Sequence, residues 1–200
     1  VKGVYKNIWI EQFKKMSLLA YDKADAVTCL FERARTLQME LGCPEEKIQV
    51  TPNGIDVDGF ADIPGKSPEE QMINIGAVLR VSPIKDVKTM IQAFAFAKKR
   101  VPKLKLWIMG PTDEDEKYAQ ECFDLVDSLG VSDIEFTGRV NVKEYLGRMD
   151  FTILTSISEG QPLTILESYA AHKPTIATDV GNCRELIYGN DDGFGAAGIL

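Results

Sequence analysis

Phe151-Thr152-Ile153-Leu154-Thr155-Ser156-Ile157-Ser158-Glu159-Gly160-Gln161-Pro162-Leu163-Thr164-Ile165-Leu166-Glu167 changes character twice. Residues 151–155 are apolar or β-branched and read as a short buried strand. Residues 155–161 are polar with one glycine and read as a loop. Pro162 opens a helix that runs to Ala171, with proline expected at the first helical position, where it loses no needed N–H. Strand, short loop and helix make one βα unit. The near-continuous apolar strand predicts a parallel sheet covered on both faces.

The same unit repeats on both sides. Upstream, strands are expected at Met72–Val78, Leu104–Met109 and Ile134–Thr137. The helices between them span Asp86 (as N-cap) to Arg100, Glu114 to Leu129 closed by Gly130, and Val142 to Met149. Downstream, Thr175–Thr178 reads as a strand and Asn182–Ile187 as a short helix. Five consecutive βα units predict an α/β, Rossmann-like parallel sheet with helices on both faces. Such sheets bind ligands at the carboxyl ends of their strands. The loops at 79–85, 110–113, 138–141, 155–161 and 179–181 are therefore the ones to inspect.

The first 60 residues follow another pattern. Val4 to Lys23 is a helical candidate, with Val4, Ile8, Ile10, Phe13, Met16, Leu18 and Leu19 giving recurrent spacings of 3 and 4. Ala26–Phe31 and Lys47–Thr51 read as strands around a helix from Glu32 to Leu41. Residues 61–70, with two prolines and a glycine, are the expected linker. This divides the chain into 1–60, the tail of one domain, 61–70, a linker, and 71–200, a second domain. The absence of an initiator Met at Val1 and of tail character at Leu200 suggests a piece of a longer protein.

Thirty acids against 23 Lys and Arg leave a net charge of −7, without the basic footprint of a nucleic-acid binder. The longest apolar runs are far below the ~20 residues of a membrane span. Four cysteines without CxxC spacing and a lone His172 support neither a zinc site nor a disulfide framework. Reduced, buried thiols in a cytoplasmic protein are expected. Pro111–Asp127 holds seven acids and one base, and reads as a solvated helix start.

The helix start after Glu159 is an expected anion site. The N–H groups of Leu163 and Thr164 lack intrahelical acceptors, and Gly160 permits close approach to the backbone. Glu159 and Glu167 flank it, which suits a ligand carrying both phosphates and hydroxyls. Helix-start capping is the plainer explanation for either acid alone. Arg80 and Lys85 follow the Met72–Val78 strand, and a guanidinium fork with an ammonium suits a diphosphate. Gly138-Arg139-Val140 could offer backbone groups to a base edge. No P-loop, GxSxG or GxGxxG follows any strand.

Glu159 to Glu167 resembles the E-x7-E signature of the retaining family-4 (group 1) glycosyltransferases, which have the GT-B fold. Gly76 to Arg80 with Lys85 resembles that family's donor loop. Pro174-Thr175-Ile176-Ala177-Thr178-Asp179-Val180-Gly181 resembles another of its segments. Ala24–Val27 and Lys47–Asp56 resemble the end of its N-terminal domain. Residues 34–42 and 191–199 look most like the PelF-type enzymes of Pel exopolysaccharide synthesis.

The resemblance implies a donor-binding C-terminal domain, truncated at its end, and a hexose transferred from UDP-glucose to a growing polysaccharide with retention. Glu159, Arg80 and Lys85 would be catalytic. Gly76, Arg139, Val140, Gly160, Gln161, Leu163, Thr164 and Glu167 would join them in holding the nucleotide-sugar, with Glu167 on the ribose and residues 139–140 on the base. Gln161 stands where many members have an aromatic or small apolar residue. No metal or cofactor is implied. The implied partners are a polysaccharide or glycolipid acceptor and a membrane polysaccharide-synthesis complex. Without its acceptor half, the isolated chain is expected to be inactive. A GT-B-like nucleotide-sugar epimerase and a non-catalytic nucleotide-sugar-binding module are the alternatives.

Overall fold

The computed structural model describes residues 8–189, 193 and 195–200. Val4, and Asp191, Asp192 and Phe194 of the PelF-like stretch, lie outside the described residues. The chain forms two compact units, Val1–Asn53 and Gly54–Leu200.

In the first unit, α1 (Ile8–Lys23) precedes a parallel pair, β1 (Val27–Cys29) and β2 (Ile48–Val50), joined through α2 (Glu32–Glu40). Cys29, Cys43 and Ile48 form its core, with Tyr21 of α1 packed on them. Within the expected apolar stripe of α1, Phe13, Met16 and Leu19 are exposed. Two strands of three residues offer too little surface to bury it.

The second unit opens with α3 (Asp58–Ala61) and then alternates. Its elements are β3 (Ile73–Val78), α4 (Val87–Lys98), β4 (Leu104–Met109), α5 (Glu116–Leu129), β5 (Ile134–Gly138) and α6 (Val142–Leu146). They continue as β6 (Phe151–Leu154), α7 (Leu163–Ala170), β7 (Thr175–Ala177), α8 (Cys183–Tyr188) and β8 (Gly198–Ile199). The sheet order is β5-β4-β3-β6-β7-β8, and every pairing is parallel. This is the Rossmann-like α/β fold that the alternation predicts.

Side-chain alternation explains why helices cover both faces. Ile75, Ala77, Leu106 and Ile108 point to one side, against Met90, Ile91 and Phe94 of α4 and Cys122 of α5. Trp107 and Met109 point to the other, against Leu146, Met149 and Phe60. Burying each of the larger side chains contributes about 1.5–3 kcal/mol. All four cysteines are buried as free thiols.

Three expectations shift. The helix expected from Glu114 begins at Glu116, because the Asp115 carboxylate caps it by accepting from Tyr118 N–H at 3.0 Å. The helix expected to reach Met149 ends at Leu146, and Arg148 and Met149 close it with tighter turns to the carbonyls of Tyr145 and Leu146. Residues 61–70, expected as a linker, pack as part of the second unit, which starts at Gly54. Ile63 packs beside the Met149 cluster, and Lys66 bonds Asp150 at 2.8 Å. Asn74, fully buried in β3, ties this region to the sheet, its Nδ2 donating to Glu70 Oε1 while its Oδ1 accepts from Trp107 Nε1 at 3.1 Å.

Candidate functional site

The strand order places the site. The chain runs outward from β3 through β4 to β5, then returns to lay β6 on the other side of β3. The loops after β3 and β6 therefore diverge at a topological switch point, where doubly wound sheets open a crevice. Here the two loops are stitched together. Ile157 N–H donates to the Ile84 carbonyl at 2.9 Å. Thr155 Oγ1 donates to the carbonyls of Lys85 and Asp86 at 3.0 and 3.1 Å.

Across this seam Lys85 Nζ meets Glu159 Oε1 at 2.5 Å. Their side chains are 18% and 11% exposed, so the pair is largely shielded from water. Pro83–Lys85 forms a 3-10 turn and Asp86 caps α4 by accepting from Thr89 N–H at 3.4 Å, which fixes the lysine's stem.

Glu159 and Gly160 are held from behind by the loop after β7. Asn182 N–H donates to the Gly160 carbonyl at 2.9 Å, and Thr178 Oγ1 to the Ser156 carbonyl at 2.7 Å. Gly181 packs so closely that a Cβ there would lie 2.2 Å from the Glu159 carbonyl oxygen.

In front of the seam lies a cleft of about 460 Å³, within the usual range for a small-molecule site. The ends of β3 and β4 supply Val78, Leu79, Met109, Gly110 and Pro111. Arg80 and Lys85 enter from one loop, Arg139 and Val140 from another, and Val142 and Thr164 from the starts of α6 and α7.

Five of the expected site residues thus line one cleft: Arg80, Lys85, Arg139, Val140 and Thr164. Glu159 joins them through Lys85. Gln161 is buried and Leu163 is exposed at the first turn of α7. Gly76 does not line the cleft. It is buried in the middle of β3, where a Cβ would meet Met149 and Met109. Pro162 is the N-cap of α7 and not its first helical residue, with an extended backbone (φ −71°, ψ 118°). The first turn therefore starts at Leu163, and the N–H groups of Leu163 and Thr164 remain those without intrahelical acceptors.

Glu167 is half-buried on α7. Burial raises its pKa, and the Lys143 charge partly offsets that. No hydrogen bond or ion pair reaches its carboxylate from the described residues. Desolvation favours the protonated form in the folded state, so the fold loses stability as pH rises through the range above the ordinary carboxylate pKa. Glu167→Gln is therefore expected to raise the melting temperature of the empty protein at pH 7. The mutant's advantage over wild type should disappear at pH 4. A mutant no more stable at pH 7 than at pH 4, relative to wild type, would contradict this.

The acidic segment is not wholly a solvated helix start. Asp113 and Glu114, left outside α5 by the Asp115 cap, reach the cleft mouth. Glu114 lies 3.0 Å from Arg80 and 3.6 Å from Arg139, and Asp113 lies 3.3 Å from Arg139. Their place on a loop at the carboxyl end of β4 was the signal available in the sequence. His172 is an exposed turn residue with φ 59°. Among the described residues no cluster of His, Cys, Asp and Glu could hold a metal ion, and no helix is long and apolar enough to cross a membrane.

A doubly wound sheet with a cation-lined cleft at its switch point is the ligand-binding arrangement of open α/β proteins. Residues 70–198 match the model of the glycosyl transferases group 1, and the chain belongs to that family. Residues 1–46 match a domain of unknown function (DUF3492).

Among relatives, the chain is 31% identical over 187 residues to alpha-monoglucosyldiacylglycerol synthase of Streptococcus pneumoniae, covering 86% of this chain and 41% of that protein. It is 26% identical over 171 residues to D-inositol 3-phosphate glycosyltransferase of Kineococcus radiotolerans, covering 78% and 39%. The chain thus spans about two fifths of these curated relatives. The structure of Anabaena Alr3699/HepE in complex with UDP-glucose superposes with a TM-score of 0.75 at 20% identity, over 88% of this chain and 50% of that one. A glycosyltransferase from Rickettsia africae gives 0.75 at 23% identity, over 92% and 51%. These structures share its fold.

Proposed function

We propose that the chain is the donor-binding, C-terminal part of a retaining, metal-independent glycosyltransferase of the cytoplasm. It uses UDP-glucose and extends a polysaccharide or glycolipid acceptor, as the PelF-type enzymes do. The observation that carries this reading is the convergence of Arg80, Lys85 and the start of α7 on one cleft, with Glu159 held against Lys85.

In this reading the cations replace a metal. As the bond from sugar to diphosphate breaks, negative charge grows on the departing phosphate. Arg80, Lys85 and the N–H groups of Leu163 and Thr164 would stabilise that charge. Glu159 accepts from the donor sugar's hydroxyls, and Gln161 borders the sugar. Glu167, whose half-buried carboxylate has no donor among the described residues, accepts from the ribose. The backbone of Arg139 and Val140 contacts the base. The unit Val1–Asn53 is the tail of the acceptor-side domain, which carries the acceptor and any contact with a membrane complex.

Thermal unfolding with ligand tests the reading. UDP and UDP-glucose at about 100 times Kd should stabilise the fold by about 2.7 kcal/mol, and GDP and ADP should stabilise it less. An unchanged melting temperature with all four nucleotides would overturn it.

A further inference from the structure

Glu114 spans two arginines at the mouth of the cleft. Its Oε2 faces Arg80 Nη1 at 3.0 Å and its Oε1 faces Arg139 Nη2 at 3.6 Å. Asp113 adds a contact of 3.3 Å to the same Arg139 nitrogen. One carboxylate bridging two guanidinium groups occupies the position that a phosphoryl group would take between them.

The backbone around Glu114 is anchored on both sides. Val81 N–H donates to the Pro111 carbonyl at 2.9 Å, and Gly110 N–H to the Gly138 carbonyl at 2.9 Å. On the other side Asp115 caps α5. Glu114 sits immediately before that cap, so side-chain rotation is enough to release the arginines.

We propose that Glu114 is a built-in anion that fills the Arg80–Arg139 pair in the empty cleft and exchanges with a phosphoryl group of the ligand, lowering the affinity of every ligand that places a phosphoryl group there and of no ligand that lacks one. This rests on the reading of the cleft as a nucleoside-diphosphate site. An anion that reaches only the arginines replaces one negative group with another and gains little. A diphosphate also reaches Lys85 and the start of α7, and so can displace the carboxylate. Glu114 thereby lowers the affinity of UDP, UMP and phosphate by one common factor, while the contacts with Lys85 and α7 set the margin between them.

Calorimetric titration of the 200-residue chain with UDP, UMP, inorganic phosphate and uridine tests this. Both ion pairs are largely exposed, so the gain from removing the competitor is modest. Glu114→Gln should bind UDP roughly three- to tenfold more tightly. It should bind UMP and phosphate more tightly by the same factor and uridine, which has no phosphoryl group, unchanged, and its UDP affinity should fall more steeply with added salt. Asp113→Asn, which frees Arg139 from one contact only, should shift the same quantities less. If wild type binds UDP and Glu114→Gln binds it equally or more weakly, the proposal is overturned while the diphosphate reading stands. If neither protein binds UDP, both fall.

Discussion

Lys85→Ala is expected to weaken UDP binding by about 30- to 700-fold, the cost of truncating one member of a shielded charge pair. The loss has two sources. The ammonium no longer attracts the diphosphate. In addition Glu159, only 11% exposed, is left as an unpaired carboxylate at the place where negative charge must enter. The same unpaired charge should destabilise the empty fold by about 2–4 kcal/mol, somewhat below the range for fully buried pairs. The double substitution Lys85→Ala with Glu159→Gln removes the stranded charge. It should recover much of the stability but little of the UDP affinity. Uridine, which lacks phosphates, should bind wild type and Lys85→Ala similarly. Calorimetry with UDP and uridine, paired with thermal unfolding, separates these effects. Equal UDP affinity in wild type and Lys85→Ala would remove Lys85 from the site.

The fold was readable because its strands are short apolar runs at regular spacing. Leu104–Met109 is a strand with the expected limits, and the other four expected strands of the sheet form with small changes at their ends. What escaped was too short to show a period. Asp58–Ala61 is one helical turn, and Gly198–Ile199 is two residues added to the sheet edge. The caps decided more than periodicity did. Asp115 and Pro162 each took the capping position, so the two helices begin two and one residues later than expected, and Asp115 thereby released Glu114 to the cleft.

The candidate site was readable loop by loop, because strand ends locate ligand-binding loops before any contact is known. Which loops touch depends on strand order, and that is a long-range property. Lys85 and Glu159 are 74 positions apart, and Arg80 and Glu114 are 34. Gly76 shows the reverse problem. Its spacing from Arg80 marks a motif, but spacing does not distinguish a glycine inside a strand from one in a loop. The structure gives it a packing role against Met149 and Met109.

Gly181→Ala is expected to damage the site without touching the cleft. Gly181 has φ 55°, in the left-handed region, and a Cβ there would lie 2.2 Å from the Glu159 carbonyl oxygen and 2.4 Å from that of Gly160. Both atoms are backbone, so the conflict cannot be relieved by turning a side chain. Either the loop after β7 or the loop carrying Glu159 must shift, and the Asn182 to Gly160 hydrogen bond lies between them. Left-handed strain costs about 1–2 kcal/mol, and overpacking adds about 1–3 kcal/mol. Gly130→Ala separates the two contributions. Gly130 has φ 58°, nearly the same backbone conformation, but nothing lies within 4 Å of its Cβ position. Gly130→Ala should therefore cost the strain alone and leave UDP affinity unchanged. Gly181→Ala should cost about 2–5 kcal/mol by the same two contributions and weaken UDP binding by at least tenfold, since Glu159 and the start of α7 move with the loop. Thermal unfolding and UDP titration of the two variants side by side decide the matter. Equal stability losses and equal UDP affinities would show that the close approach behind Glu159 does not hold the site in place.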